Sequence, residues 1–202
     1  MIMRRLGAGA WGVALLLTGC SSGDSQIATP RQTVSGAVLP SPTPTLSPKD
    51  VPFALFPDNV PGPGWQFSEA VLPSAEGLEM FGEATPGLVW FAEWDGPDPA
   101  ESAYLSVTLR RFGLADLDDR EPLTAAGSGE IRGRSATWGQ AGDGGAGVVR
   151  IAWGEGWTLE LQGSESVDAM RRFADRLRPA NLKQWRAAGG KVGCAPFAED
   201  CD

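Results

Sequence analysis

Two carboxylates at the end of an apolar segment are the side chains best suited to acid–base chemistry. Glu93 and Asp95 follow the run LVWFA and lie beside Trp90 and Trp94 in the sequence. An apolar, aromatic setting raises the pKa of a carboxyl group, and paired carboxylates with aromatic platforms occur in glycosidases. The simpler interpretation is that Glu93 faces solvent and Asp95 opens a turn with Gly96. We therefore predict a non-enzymatic protein without catalytic residues.

The composition removes most other catalytic systems. The chain contains no histidine, which excludes Ser-His-Asp and Cys-His nucleophiles and imidazole metal ligands. The glycine run at 142–147 lacks the lysine and the strand-to-helix context of a phosphate-binding loop. In the acidic run from Asp116, Arg120 and Glu121 occupy the fifth and sixth positions, where a calcium loop requires a ligand oxygen and a glycine. We interpret this run as a solvated acidic loop and predict neither a metal nor a cofactor.

Tryptophan is abundant, and two roles for it remain open. Outside the N-terminal segment it occurs seven times, at Trp65, Trp90, Trp94, Trp138, Trp153, Trp157 and Trp185. Most of these positions fall in predicted strands, where large aromatic side chains supply core area. Alternatively, Trp90, Trp94 and Trp138 form a platform for a glycan or a lipid. The direction in which each ring points decides between the two roles.

Four arginines form the last candidate constellation. Arg132 and Arg134 share a face of one strand if that strand is regular, and Arg110 and Arg150 lie on predicted neighbours. Together they would form a basic stripe on the open face of the sheet. Cross-strand pairs with Glu93, Glu130 and Glu160 explain such a stripe without a ligand. The alternative is a binding site in which Arg132 and Arg134 act with the tryptophans.

The segment Ile151–Leu177 gives the clearest structural prediction. Gly154 and Gly156 suit a tight turn between two strands, and beyond it apolar and polar residues alternate. Ser164 is the predicted helix cap, and the helix carries one apolar stripe that ends before Pro179. The stripe consists of Val167, Met170, Phe173, Ala174 and Leu177.

The order of elements predicts an α+β fold, an antiparallel β-sheet with a C-terminal amphipathic helix packed on one face. Further strands are predicted from Trp65 and at 78–83, 88–94, 104–112, 130–138 and 148–153. Residues 113–128 are predicted to be irregular, with a helical turn near Leu114–Leu117. The predicted globular domain covers residues 53–188.

The N-terminus carries a targeting signal. Arg4 and Arg5 precede an uncharged run at 6–17, and the sequence Leu-Thr-Gly-Cys ends at Cys20. This pattern resembles the lipobox of bacterial lipoproteins, and the overall layout is similar to lipoproteins of high-GC Gram-positive (actinobacterial) bacteria. The resemblance implies a signal peptide at 1–19, a lipidated Cys20 and attachment to the outer face of the cell membrane.

The rest of the prediction follows from this location. Residues 20–52 would be the lipid anchor and a disordered Ser/Thr/Pro tether. Residues 189–202 form a tail in which Cys194 and Cys201 are predicted to pair as a disulfide, because exported proteins meet oxidising conditions. Removal of residues 1–19 leaves 15 basic against 25 acidic side chains, a net charge of −10, so nucleic acid is not a predicted partner. We expect an accessory or adaptor module of the cell envelope that contacts an envelope protein through its sheet face, with glycan or lipid binding as the alternative.

Overall fold

The computed structural model describes residues 46–74, 77–79, 85–97, 103–142 and 145–194. All of them lie in one compact unit, Pro44–Asp202. Strands account for 49% and helices for 22% of these residues, so this part of the protein is α+β or mainly β. The predicted signal peptide, Cys20, most of the tether and Cys201 lie outside the described residues, so the lipid anchor and the disulfide stay predictions.

An eight-stranded sheet dominates the unit. The strands are β1 (Phe53–Leu55), β2 (Gln66–Pro73), β3 (Leu88–Asp95), β4 (Tyr104–Arg110), β5 (Leu123–Ile131), β6 (Arg134–Ala141), β7 (Gly147–Gly154), β8 (Trp157–Gly163), β9 (Arg178–Ala180) and β10 (Gly190–Cys194). The strands of the large sheet follow the order β10-β2-β3-β4-β8-β7-β6-β5, and all neighbours are antiparallel except β10 and β2. The predicted antiparallel sheet is therefore confirmed. The short strands β1 and β9 form a separate antiparallel pair.

Three α-helices have defined bounds in the described part of the chain, α1 (Leu114–Arg120), α2 (Val167–Arg176) and α3 (Leu182–Ala187), and a 3-10 helix spans Pro57–Asn59. The side chains of Met170 and Ala174 in α2, and Leu177 just after it, belong to the main core together with apolar side chains of the sheet. The cap of α2 is Ser166, whose hydroxyl accepts from the Ala169 amide at 3.3 Å. Within the described residues, no helix has the length and apolar character needed to cross a bilayer.

The predicted hairpin at the centre of the sheet is confirmed. Strands β7 and β8 pair in register, with Ile151 opposite Leu159 and Arg150 opposite Glu160. Because side chains alternate along a strand, the two pairs lie on opposite faces of the sheet. Ile151 and Leu159 are fully buried in the main core. The charged pair therefore defines the second face.

Three predicted segments differ from the structure. Residues 130–138 are not one strand, because Arg132 and Gly133 have φ values of 54° and 72° and turn the chain between β5 and β6. Residues 113–128 are more regular than predicted, since the helical turn expected near Leu114–Leu117 is part of α1 and β5 begins at Leu123. Residues 77–79 are helical, so the start of the predicted strand at 78–83 is also wrong. The remainder of that strand lies outside the described residues.

The folded region also extends further than predicted at both ends. Leu46 packs against the main core and Val51 is buried within it, so the fold begins before residue 53. At the other end, β10 pairs in parallel with β2, with Lys191 opposite Val71. The segment up to Cys194 is therefore part of the sheet rather than a tail.

Candidate functional site

The predicted tryptophan platform does not form at Trp90 and Trp94. Their side chains are only 0% and 3% exposed, and both belong to the main core. Each indole N–H is satisfied inside the protein, Trp90 by the carbonyl of Pro52 at 2.9 Å and Trp94 by that of Asn59 at 2.8 Å. The prediction of a glycan or lipid platform is therefore wrong for these two residues.

Arg110 and Arg150 do come together on the second face of the sheet, around Glu160. Arg110 Nη1 lies 3.1 Å from Glu160 Oε1, and Arg150 Nε lies 2.7 Å from Glu160 Oε2. Helix α1 and the residue after it add two carboxylates. Asp118 accepts from Arg150 at 2.9 Å, and Glu121 accepts from Arg110 at 2.5 Å.

This ion cluster is buried and internally satisfied. Arg110, Arg150 and Glu160 are 3%, 2% and 6% exposed. Burial alone would lower the pKa of Arg150, but the carboxylates of Glu160 and Asp118 outweigh it and raise that pKa. Because the guanidinium groups are ion-paired with protein carboxylates, we interpret the cluster as a structural feature that stabilises the second face of the sheet. The cross-strand pairing with Glu160 that the sequence suggested is present, and the predicted pairing with Glu93 is not part of it.

Glu93 lies beside the ion cluster, at a cavity of about 230 Å³. Burial raises the pKa of Glu93, and the nearby carboxylates of Glu69 and Asp95 add to the effect. Glu69 faces Glu93 directly across β2 and β3. The other carboxylates that line the cavity, Glu121 and Glu160, are ion-paired with arginines. Glu93 therefore has a raised pKa, and Glu69 is its cross-strand neighbour.

Arg132 and Arg134 are separated by the hairpin turn and do not share a strand face with Arg110 and Arg150. Arg134 donates to the carbonyl of Trp153 at 2.7 Å, and its guanidinium lies over the Trp153 ring at 4.6 Å. Arg132 is exposed and donates to the carbonyl of Asp175 in α2 at 3.2 Å. The predicted stripe of four arginines is therefore wrong: two of them form the ion cluster, and two lie at the end of the β5–β6 hairpin.

The hairpin end and α2 enclose a second candidate site, which we call the α2–β5 groove. It is an open depression of about 640 Å³. Its lining contains four guanidinium groups and three carboxylates, although the whole chain has a formal net charge of −8. The lining residues are Glu130, Ile131, Arg132, Asp168, Arg171, Arg172, Asp175 and Arg176.

Trp138 lies beside this groove, under the Arg171 side chain of its lining. It is half-buried, and the guanidinium carbon of Arg171 lies 4.1 Å from its ring centroid. The ring crosses β5 so closely that a Cβ on Gly127 would lie 2.5 Å from its Nε1, and one on Gly129 would lie 2.9 Å from its distal edge. The glycines of β5 are therefore required by the position of Trp138.

Among the described residues, β5 is the last strand of the sheet at this end. From Leu123 to Gly129 it carries no charged residue, and Ala126, Ser128 and Gly129 are exposed. An edge strand of this kind presents backbone N–H and C=O groups that can pair with another chain. The α2–β5 groove lies at the end of this edge, where Glu130 and Ile131 of β5 line it together with the charged residues of α2.

Sequence reasoning missed the residues of α2 and α1 that matter most. Arg171, Arg172 and Arg176 occur in the run RRFADRLR, which is typical of the solvated face of a helix, and only the position of β5 gives them a common surface. Asp118 and Glu121 were assigned to a solvated loop, but both contact buried arginines.

Comparisons with protein-family models, with curated proteins and with solved structures find no match. The described residues contain no group of three or more side chains suited to hold a metal ion.

Proposed function

We propose that this chain is a membrane-anchored extracytoplasmic lipoprotein, and that it acts as a non-enzymatic accessory or adaptor module of the cell envelope. The lipobox ending at Cys20 supports the anchor. The α2–β5 groove supports the adaptor role, since it joins an open sheet edge to a positively charged helix surface.

The α2–β5 groove is a better candidate for the partner-contacting surface than a face of the sheet. Leu78 and Tyr104 are the exposed large apolar side chains in the described part of the chain, and they do not make a contiguous apolar patch of the kind that marks a docking face. In our proposal α2 packs on one face of the sheet through Met170 and Ala174, and its outer arginines face the partner. This moves the expected contact from the sheet face to the sheet edge.

A glycan- or lipid-binding module is the second candidate. Burial of Trp90 and Trp94 counts against it, while the half-buried Trp138 beside Arg171 is the feature that keeps it open. A carboxylate-dependent hydrolase has the least support, because Glu93 lacks a free carboxylate partner in the cavity that it lines. Turnover of a cell-wall substrate that disappears in Glu93→Gln would overturn the non-enzymatic proposal.

Site-specific photo-crosslinking in cells tests the adaptor role. A photoreactive amino acid at Ser128 samples the edge of β5, and the same group at Lys183 on α3 samples the exposed surface near the opposite end of the sheet. We expect one discrete crosslinked protein from position 128, absent from position 183 and lost when Arg171 and Arg172 are changed to Glu. Identical crosslinking patterns at the two positions, or none at 128, would reject the proposed surface.

A further inference from the structure

We propose that the partner contributes an extended segment that pairs with β5 as an additional strand, with acidic side chains directed towards α2. This inference rests on the adaptor function and specifies the kind of partner. It is argued from the hydrogen-bonding register of β5, from the side chains that flank its free edge and from the charge of the groove.

The register identifies which backbone groups of β5 are directed outwards. The two-residue turn at Arg132 and Gly133, with positive φ at both positions, makes Ile131 and Arg134 a hydrogen-bonded pair. Because hydrogen-bonded and non-hydrogen-bonded pairs alternate, Gly129 and Gly127 also bond to β6. Ser128 and Glu130 are then the non-bonded positions, and their N–H and C=O groups point away from β6 towards the sheet edge.

The flanking geometry fits an incoming strand. Gly127 and Gly129 have no side chain, so on the helix side of β5 an added strand meets the ring of Trp138 and the arginines of α2. The register shift between Thr124 and Gly127 interrupts the ladder at the other end. Regular pairing is therefore confined to Gly127–Ile131, a length of about 17 Å. This is the length of an ordinary recognition strand, since strand addition uses short segments.

The lining has four guanidinium groups against three carboxylates, and this excess of one positive charge favours an acidic segment over a basic one. Arg171 shares its charge with Asp168 at 3.4 Å, and Arg132 is bonded to a backbone carbonyl rather than to a carboxylate. Arg172 is exposed on the same surface. Arginine binds carboxylates through paired hydrogen bonds, so alternate Asp or Glu side chains on an added strand would meet Arg171 and Arg172. A second copy of this chain is a poorer occupant, because it would oppose two sets of arginines and two bodies of net charge −8.

Selection from a displayed library of random 12-residue peptides tests this inference on the full-length chain. We expect enriched peptides to be rich in Asp, Glu and strand-forming residues. The decisive variants are Ser128→Pro, which removes an outward N–H while leaving the bonds to β6, and Ser128→Ala, which keeps that N–H. Binding should weaken at least tenfold in Ser128→Pro and less than twofold in Ser128→Ala.

Two further measurements keep the test decisive if Ser128→Pro unfolds. Methylation of alternate peptide nitrogens should abolish binding, and the double variant Arg171→Glu, Arg172→Glu should shift the selected peptides from acidic to basic. Strand addition is rejected if no peptide is enriched or if the enriched peptides bind Ser128→Pro unchanged. The acidic partner is rejected in favour of a second copy if Ser128→Pro converts a dimer of this chain to a monomer. The adaptor function can survive the failure of this inference. If the peptide tests reject strand addition but the chain with unchanged Arg172 still forms crosslinks from position 128 in cells, the adaptor function remains supported.

Discussion

The guanidinium group of Arg171 lies over the indole ring of Trp138, 4.1 Å from its centroid. This contact joins α2 to β6 near the edge of the sheet, beside the α2–β5 groove. Arg171 also lies 3.4 Å from Asp168, one turn earlier in the helix. The arginine is therefore oriented by two contacts before any partner binds.

The stack predicts a measurable coupling between the two side chains. Arg171→Ala should lower the free energy of unfolding by about 0.5–1 kcal/mol, because a cation–π contact at an exposed site is worth that much. In a double-mutant cycle with Trp138→Leu, the two losses should be less than additive. Lys183→Ala, an exposed change on α3, is the control and should stay within about 0.5 kcal/mol. Full additivity of Arg171→Ala and Trp138→Leu would contradict the stack.

The buried ion cluster predicts a larger loss. Glu160→Gln removes the carboxylate shared by Arg110 and Arg150, which are only 3% and 2% exposed. Leaving buried charges with fewer partners should cost about 3 kcal/mol of unfolding free energy. The midpoint of denaturant unfolding should fall while its slope is unchanged. The matched control is Glu130→Gln on the exposed part of β5; equal stability losses in the two variants would show that the cluster is not structural.

Glu93 predicts a dependence of stability on pH. Burial, with the nearby carboxylates of Glu69 and Asp95, raises its pKa in the folded protein above the ordinary glutamate value of 4.5. The folded state therefore holds its proton more tightly than the unfolded state, and stability falls as the pH rises from that value through the raised pKa. Glu93→Gln should flatten this slope and be more stable than the parent at neutral pH. Unfolding midpoints across pH 4–8, with Glu155→Gln in an exposed turn as the control, measure the effect; a less stable Glu93→Gln at neutral pH would contradict it.

If Cys20 is lipidated, its sulfur atom determines whether the protein is attached to the membrane. Cys20→Ala should move the mature protein from the membrane fraction to the soluble fraction, because acyl chains contribute about 0.8 kcal/mol per buried methylene. Mass spectrometry should find diacylglycerol on Cys20 as the first residue of the mature chain. Equal membrane retention of parent and variant, or an unmodified mature N-terminus elsewhere, would disprove the lipoprotein assignment.

The sequence predicted the parts of the fold that repeat a simple pattern. Strands β7 and β8 alternate apolar and polar residues around glycines, so their pairing and register follow from local rules. Strand β5 was missed because LTAAGSGEI has small residues where an alternating pattern is expected. Its glycines are explained by Trp138, a contact between two strands that no local window contains.

The candidate site was harder to predict because its parts are distant along the chain. Arg150 and Asp118 are 32 residues apart, and Arg110 and Glu160 are 50 apart. No local pattern joins the arginines of α2 to β5, since each is ordinary in its own element. Trp138 and Arg132 do lie at the same end of the sheet, but the predicted common arginine face does not form.

The pairing of the first strands with the last ones has a consequence for how the protein is made. Strand β1 pairs with β9, and the outer edge of β2 pairs with β10. Both partners are synthesised more than a hundred residues later, so neither pair can form before then. Contacts so distant in sequence form late and slowly. A chain that emerges with its N-terminus first therefore cannot complete either pairing until residue 194 has been made, so β1 and the outer edge of β2 have no partner strand during most of synthesis.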